Sequence, residues 1–169
     1  MNKQLISEFL VDKDKKTITI EREFDAELPL VWNAYTQPEL LARWWAPKPW
    51  QVKTRIMDFR DGGSWHYAMV SPEGQEHWCR INYQKIVPQV SYTATDCFTD
   101  AEGNENHEMP SSNWYITFHN QGATTLVRKL LSFDDLAQLE NIIKMGFKEG
   151  ITMTMDALNA MLPEWKKKA

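Results

Sequence analysis

Hydrophobic and polar positions alternate with a period of two over much of the chain, and this pattern predicts an antiparallel sheet. Two such stretches, 5–11 and 17–24, are joined by the polar residues 12–15 and predict a first hairpin. Later stretches with the same character predict six more strands at 51–59, 64–70, 77–86, 90–98, 113–119 and 124–133. Because short polar turns and one long polar loop separate these strands, we expect neighbours in sequence to pair antiparallel.

The period changes to three or four in three segments, which predict helices. Residues 28–35 and 36–45 predict two short helices, each with a proline in its first turn. From residue 136 to residue 162, apolar side chains recur every three or four positions. This stripe predicts a single C-terminal helix of roughly 28 residues, about 42 Å long, that ends before Pro163.

Together these elements predict an α+β fold, in which a curved antiparallel sheet wraps around a long C-terminal helix and two short helices follow the first long strand. The 169 residues are expected to form one domain. Within it, residues 1–16 are predicted as an N-terminal hairpin strand and turn, 17–162 as the core, and 163–169 as a polar tail. Where side chains do not fill the space between helix and sheet, a cavity for a small molecule is expected.

Charge and composition exclude several classes of function. The net charge of -4 argues against a nucleic-acid partner, because proteins that neutralise phosphates normally carry a basic surplus. No run of 18 apolar residues is present, so the sequence predicts no membrane span, and the first residues do not resemble a signal peptide. The two cysteines, Cys79 and Cys97, are interpreted as reduced, buried thiols, which favours a cytoplasmic protein.

Metal and nucleophile motifs are missing from the sequence. The four histidines form no HxxxH, HxH or HExxH pattern, so we predict no metal site and no cofactor. There is also no GxSxG motif of a serine hydrolase. General acid–base chemistry in an apolar pocket is harder to exclude. The side chains that could supply it are His66, His77, Tyr67, Tyr92, Asp96 and Glu149.

The eight tryptophans are many for a chain of this length. Trp32 and Trp44 lie on helical faces that predict core positions, whereas Trp45, Trp50, Trp65 and Trp114 are predicted at the wall or mouth of the cavity. The full set of predicted ligand-binding residues is Trp45, Trp50, Trp65, Tyr67, Trp78, Tyr92, Trp114, Met145, Phe147 and Ile151. Three further side chains are predicted as polar anchors: His66, His77 and Glu149.

Four stretches in the same order resemble motifs of a known family. They are FDAELPLVWNAYTQPELLARWWAP, MDFRDGGSWHYAM, SPEGQEHW and LENIIKMGFKEGITMTMDALNAML. The chain resembles the START-like (SRPBCC) superfamily, in the branch named after the C-terminal domain of the heat-shock-protein-90 ATPase activator. This resemblance implies a helix-grip fold, as in Bet v 1, around a hydrophobic cavity. One departure is Ile151, where the family usually has tryptophan, and we expect additional space there.

The resemblance does not imply one function, since the superfamily includes lipid carriers, hormone-binding proteins, cyclases and co-chaperone domains. The leading hypothesis is a non-catalytic carrier or sensor that binds a small hydrophobic molecule, lipid-like or aromatic. The second is a cyclase- or hydrolase-type enzyme that uses a polar group in the same cavity. The third is a co-chaperone-like domain with a chaperone partner and a role in stress response. A homodimer is left open, because the edge of the N-terminal hairpin could pair with a second copy.

Overall fold

The computed structural model describes residues 5–168. Its strands are β1 (Ser7–Asp12), β2 (Thr17–Phe24), β3 (Gln51–Met57), β4 (Ser64–Val70), β5 (Glu76–Val87), β6 (Ser91–Thr99), β7 (Ser112–Asn120) and β8 (Thr125–Ser132). They form one sheet of eight strands in the order β1-β2-β8-β7-β6-β5-β4-β3, and every neighbouring pair is antiparallel. The predicted α+β, helix-grip architecture is therefore confirmed.

Four helices cover one face of this sheet: α1 (Leu28–Thr36), α2 (Pro38–Trp44), α3 (Leu136–Lys144) and α4 (Phe147–Lys168). Both α1 and α2 carry a proline in the first turn, where its missing N–H costs no helical hydrogen bond. The carboxylate of Asp135 caps α3 by accepting a hydrogen bond from the backbone N–H of Gln138. Trp32 and Trp44 are buried, as their helical spacing predicts.

The alternation along each strand decides which side chains face the helices. On β8, every second side chain from Thr125 to Leu131 is buried, and the intervening ones are partly exposed. On β2, Ile18 and Ile20 are buried by the same alternation. We call the helix-covered side of the sheet its concave face, and the main core lies there.

The predicted single C-terminal helix is wrong in two respects. First, the chain breaks at Gly146, whose φ of 87° is left-handed and outside the helical region, so that α3 and α4 are separate helices. Second, α4 continues through Pro163 to Lys168, and Trp165 is buried. Residues 163–168 therefore belong to a helix and are not a polar tail. The apolar stripe could not distinguish these cases because it runs through both helices with nearly the same spacing.

One end of the concave face is filled by interlocking aromatic rings, which we call the closed aromatic cluster: Trp32, Tyr35, Phe59, Tyr83, Tyr92 and Phe118. The Trp32 and Phe118 ring centroids are 4.9 Å apart, and those of Phe59 and Tyr83 are 4.8 Å apart. Both pairs meet edge to face, which is the favoured geometry for aromatic rings. These rings fill this part of the core, and Tyr35 at its edge also borders an adjacent cavity.

Candidate ligand-binding cavity

A cavity of about 420 Å³ lies at the other end of the concave face, between the sheet and the helices α3 and α4. Its volume falls in the range of about 300–1,000 Å³ that is typical of small-molecule sites. The residues around it come from most strands, from both helices and from the segment between α2 and β3: Ile20, Tyr35, Trp44, Trp45, Pro47, Trp50, Tyr67, Met69, His77, Cys79, Asp96, Phe98, Ser112, Trp114, Val127, Lys129, Leu131, Ile142, Met145, Gly146, Phe147, Gly150, Ile151, Thr154 and Met155.

Aromatic side chains make up the inner wall of the cavity. The Trp45 ring lies 6.1 Å from the Trp114 ring, and its indole N–H donates to the hydroxyl oxygen of Tyr67 over 2.9 Å. The indole N–H of Trp114 donates to the hydroxyl of Ser112 over 2.9 Å. Because both indoles are held by hydrogen bonds, the wall presents rigid ring faces and edges to a ligand. Such surfaces bind apolar and aromatic groups.

The mouth of the cavity is marked by residues that both line it and contact solvent. Met145, between α3 and α4, is 51% exposed, and His77 on β5 is also exposed. The Trp50 ring packs against the His77 ring with their centroids 5.1 Å apart. A ligand would therefore enter between this Trp50–His77 pair and the junction of the two C-terminal helices.

Two charged side chains, Asp96 and Lys129, lie on the mainly apolar wall. The Nζ atom of Lys129 is 3.7 Å from the centre of the Trp114 ring and 5.2 Å from that of Trp45. Within residues 5–168, neither charged group forms a hydrogen bond or an ion pair with a protein atom, and no N···O distance between the two is 4.0 Å or less. Both charged groups therefore border the cavity without a hydrogen-bond or ion-pair partner in this part of the chain, and only the aromatic rings contact the ammonium group.

The apolar surroundings shift the protonation equilibria of this pair in opposite directions. Burial raises the pKa of the Asp96 carboxyl group, and the positive charge of Lys129 partly offsets this effect. Burial lowers the pKa of the Lys129 ammonium group, which the negative charge of Asp96 partly restores. Burial also raises the pKa of Tyr67 and of Cys79 beside them. The pKa values of both groups therefore lie closer to neutral pH than those of exposed side chains of the same type.

Seven of the ten predicted ligand-binding residues and one predicted anchor meet around the cavity: Trp45, Trp50, Tyr67, Trp114, Met145, Phe147, Ile151 and the anchor His77. Ile151 stands on α4 at the position where the resemblance expects a tryptophan, and it borders the cavity. The predicted residues that lie on the concave face near α3 and α4 therefore border one and the same cavity. What these residues bind remains a prediction.

The other predicted residues lie elsewhere, and for two of them the alternation of the strand explains why. Trp78 and His66 point to the convex face, where their rings lie 4.8 Å apart. There His66 hydrogen-bonds to the hydroxyl of Thr99 over 2.9 Å, and burial chiefly lowers its pKa. Trp65 is on the concave face but is 1% exposed, because it stacks behind Tyr67 with ring centroids 4.1 Å apart.

Two more predicted residues, Tyr92 and Glu149, do not border the cavity, and strand alternation does not explain their positions. Tyr92 faces inward but belongs to the closed aromatic cluster, at the opposite end from the cavity. Glu149 lies on the solvent side of α4, since its neighbours Gly150 and Ile151 turn toward the cavity. The sequence pattern shows which face a residue takes, but it does not show how far along that face the free space lies.

Among the charged residues of the cavity, Lys129 is the one that the sequence reasoning missed. It is 7% exposed and occupies an inward position in the series Thr125, Val127, Lys129 and Leu131. A lysine in a series of inward-facing positions is unusual, because lysine is almost never fully buried unless it is paired. This break in the pattern is the signal that could have identified it. Asp96 was recognised only as one of several candidates for acid–base chemistry.

Two further searches of residues 5–168 bear on function. No three His, Cys, Asp or Glu side chains come together as a metal ion would require. No helix in that part of the chain is both long and apolar enough to cross a membrane.

Solved structures of bacterial proteins share this fold. A crystal structure from Mycobacterium smegmatis is 25% identical, with a TM-score of 0.85, and the match covers 94% of this chain and 97% of that one. A solution structure from Arthrobacter aurescens is 24% identical with a TM-score of 0.87, and here 93% of this chain and 91% of that one are covered. A comparison with curated protein sequences finds no match.

A family model provides the most specific comparison. The model described as activator of Hsp90 ATPase homolog 1-like protein matches residues 25–163, which include the elements from α1 to most of α4. The match confirms the resemblance inferred from the four sequence motifs. This chain belongs to the family of activator of Hsp90 ATPase homolog 1-like proteins.

Proposed function

We propose that this protein binds a small, mainly hydrophobic molecule in the cavity between the sheet and helices α3 and α4, and acts as a non-catalytic carrier or sensor. The observation that supports the proposal is the contrast between an open, aromatic-lined cavity of about 420 Å³ and the tightly filled cluster beside it. A protein selected only for stability would gain by filling that space, since cavities in a core are destabilising. Keeping the space open favours a ligand.

The proposal predicts that filling the cavity abolishes binding. Ile151→Trp introduces a larger ring at a cavity position of α4, whereas Met153→Trp adds the same ring on the exposed side of that helix. Thermal-shift assays and titration calorimetry with fatty acids, sterols and polyaromatic compounds would give saturable stabilisation of the wild type. We expect Ile151→Trp to lose this response and Met153→Trp to keep it. No response from the wild type to any compound would contradict a carrier role.

Catalysis in the same cavity is a second candidate, and Asp96 and Lys129 favour it. An unpaired carboxylate and an unpaired amine in an apolar site can act as an acid and a base once their pKa values move toward neutrality. A cyclase or hydrolase of this kind would convert a bound compound to product. Incubation of identified ligands with the protein, followed by mass spectrometry, distinguishes a carrier, which returns each ligand unchanged, from an enzyme.

A co-chaperone role is the third candidate, and it is supported by the description of the family. It predicts that the purified protein changes the ATPase rate of an Hsp90 chaperone. The Ile151→Trp variant should keep such an effect, because a surface contact does not need the cavity. A cytoplasmic location, which the two free thiols Cys79 and Cys97 favour, and a homodimer through the exposed edge strand β1 are further proposals. Light scattering would test the homodimer.

A further inference from the structure

We propose that the cavity selects hydroxylated aromatic molecules and binds their hydroxyl group between Lys129 and Asp96. This inference rests on the proposed carrier function and deepens it by naming the chemical class of the ligand. It adds a defined polar subsite to a wall that is otherwise apolar.

The first support is that neither charged group has a hydrogen-bond or ion-pair partner among residues 5–168. The ammonium group of Lys129 lies over the Trp114 ring at 3.7 Å, and no carbonyl, hydroxyl or carboxylate oxygen within residues 5–168 accepts a hydrogen bond from it. The Asp96 carboxylate likewise accepts no hydrogen bond from that part of the chain. Buried charges in proteins are usually paired, because burying them alone is costly. A ligand that supplied both partners would be strongly favoured.

The second support is the separation of the two groups. They share one cavity and influence each other electrostatically, yet they are too far apart for a direct ion pair. One hydroxyl oxygen can accept a hydrogen bond from an ammonium at about 2.9 Å and donate its own hydrogen to a carboxylate at about 2.7 Å. A hydroxyl group can therefore connect two charged groups that do not form a direct ion pair.

Charge balance excludes other head groups. Lys129 and Asp96 together carry no net charge at neutral pH, so a ligand carboxylate that binds Lys129 is repelled by Asp96. A ligand ammonium group that binds Asp96 is repelled by Lys129. A methyl group satisfies neither charge and removes both from water in the cavity, which is unfavourable. A neutral hydroxyl group, both donor and acceptor, satisfies the pair and can replace a water molecule with the same hydrogen bonds.

The cavity wall favours a flat ring next to that hydroxyl group. The indoles of Trp45 and Trp114 flank Lys129, and both rings are held by hydrogen bonds from their N–H groups. An aromatic ligand can contact these rings edge to face while its hydroxyl group reaches the charged pair. A phenol-type hydroxyl is also a better donor to a carboxylate than an aliphatic alcohol, because it is more acidic. The class that fits best is thus a hydroxyaromatic compound.

Three compounds with one ring system test the inference: 2-naphthol, 2-methylnaphthalene and 2-naphthoate. Their affinities for the wild-type protein would be measured by titration calorimetry at about pH 7, where the naphthol hydroxyl keeps its proton. We expect 2-naphthol to bind at least about tenfold more tightly than 2-methylnaphthalene, as charge-assisted hydrogen bonds would provide. We expect 2-naphthoate to bind less tightly than 2-naphthol.

Substitutions assign this preference to the two side chains. Lys129→Met should remove the advantage of 2-naphthol over 2-methylnaphthalene, and Lys129→Gln is a second variant in case the first does not fold. Asp96→Asn leaves a net positive charge, so the preference should move from 2-naphthol toward 2-naphthoate. The matched controls Lys13→Met and Asp14→Asn change the same residue types in the exposed turn between β1 and β2 and should leave all three affinities unchanged.

Each contrary outcome has a distinct meaning. Equal affinities for 2-naphthol and 2-methylnaphthalene would overturn the hydroxyl subsite but leave the proposed hydrophobic binding intact. Tightest binding of 2-naphthoate by the wild type would overturn the hydroxyl class in favour of an anion site. If none of these compounds or the wider panel bound, both the inference and the proposed function would fail.

Discussion

The concave face of the sheet carries two groups of aromatic residues that pack in opposite ways. In the closed aromatic cluster, Phe118 contacts the rings of Trp32, Tyr35 and Tyr92, and every ring of the group except the partly exposed Phe59 is buried. Around the cavity, rings such as Trp50 and Phe147 have protein contacts on one side and open space on the other. Two groups of similar composition thus produce a packed core in one place and the wall of an open cavity in the other.

The covering helices account for this difference. Helix α1 directs two large rings, Trp32 and Tyr35, into the sheet, and these rings fill the space beneath them. Over the cavity, the chain turns at Gly146 and then presents Gly150 and Ile151, which have small or medium side chains. A residue without a side chain cannot fill the space between helix and sheet. The free volume therefore depends on the small side chains of the covering helices as much as on the aromatic wall.

Truncation in the closed aromatic cluster should have the largest effect on stability. Phe118→Ala removes a ring that contacts three others, and we expect the free energy of unfolding to fall by about 3–5 kcal/mol. Urea denaturation followed by tryptophan fluorescence would measure this change. Ligand affinity of the folded variant should stay within about twofold of wild type. A loss below about 1 kcal/mol would mean that this cluster is not tightly packed.

Removal of the buried charge should change how stability depends on pH. The pKa of Lys129 is lower in the folded than in the unfolded chain, so the folded state binds fewer protons between the two values. In that window the wild-type free energy of unfolding rises with pH, by at most about 1.4 kcal/mol per unit.

Lys129→Met should lack this contribution. The free energy of unfolding of the wild type minus that of Lys129→Met, measured from about pH 7 to pH 10.5, should therefore increase as the pH rises. Tyr67 and Cys79 titrate in both proteins, and their effects largely cancel in the difference. Parallel pH profiles would show that Lys129 is not desolvated.

Truncation at the cavity should affect binding more than stability. Phe147→Ala removes a half-buried ring at the start of α4, and we expect ligand affinity to fall about tenfold while the free energy of unfolding falls by only about 1 kcal/mol. Calorimetry with 2-naphthol and urea denaturation would provide the two numbers. If stability fell as much as for Phe118→Ala, the contrast between the two aromatic groups would be lost.

The smallest effect is expected at Trp78 on the convex face. Its indole N–H donates to Glu76 and its ring contacts His66. Both contacts lie on the convex face, so Trp78 does not contact the cavity. Trp78→Ala should leave ligand affinity within about twofold of wild type, despite the loss of a large ring. A tenfold loss in the same calorimetric titration would return Trp78 to the set of binding residues and contradict the assignment of faces.

Much of the fold was predictable because its signals are local. Strand alternation and turn residues located the strands of the sheet to within a few residues, and prolines marked the first turns of α1 and α2. The break at Gly146 was not predictable, because a glycine inside an apolar stripe is compatible with a continuous helix. Pro163 was also misjudged, since packing of Trp165 stabilises the helix beyond it.

By itself, the sequence determined the order of the elements, the face that most strand residues take and the aromatic character of the concave side. These properties depend on the period of the backbone and on neighbouring residues, so they are encoded locally. Only the tertiary structure decided that Tyr92 and Trp65 belong to the core, or that Asp96 and Lys129 share one cavity from different strands. Distances across a sheet and the space beneath a helix depend on contacts between residues far apart in the chain, and no local pattern records them.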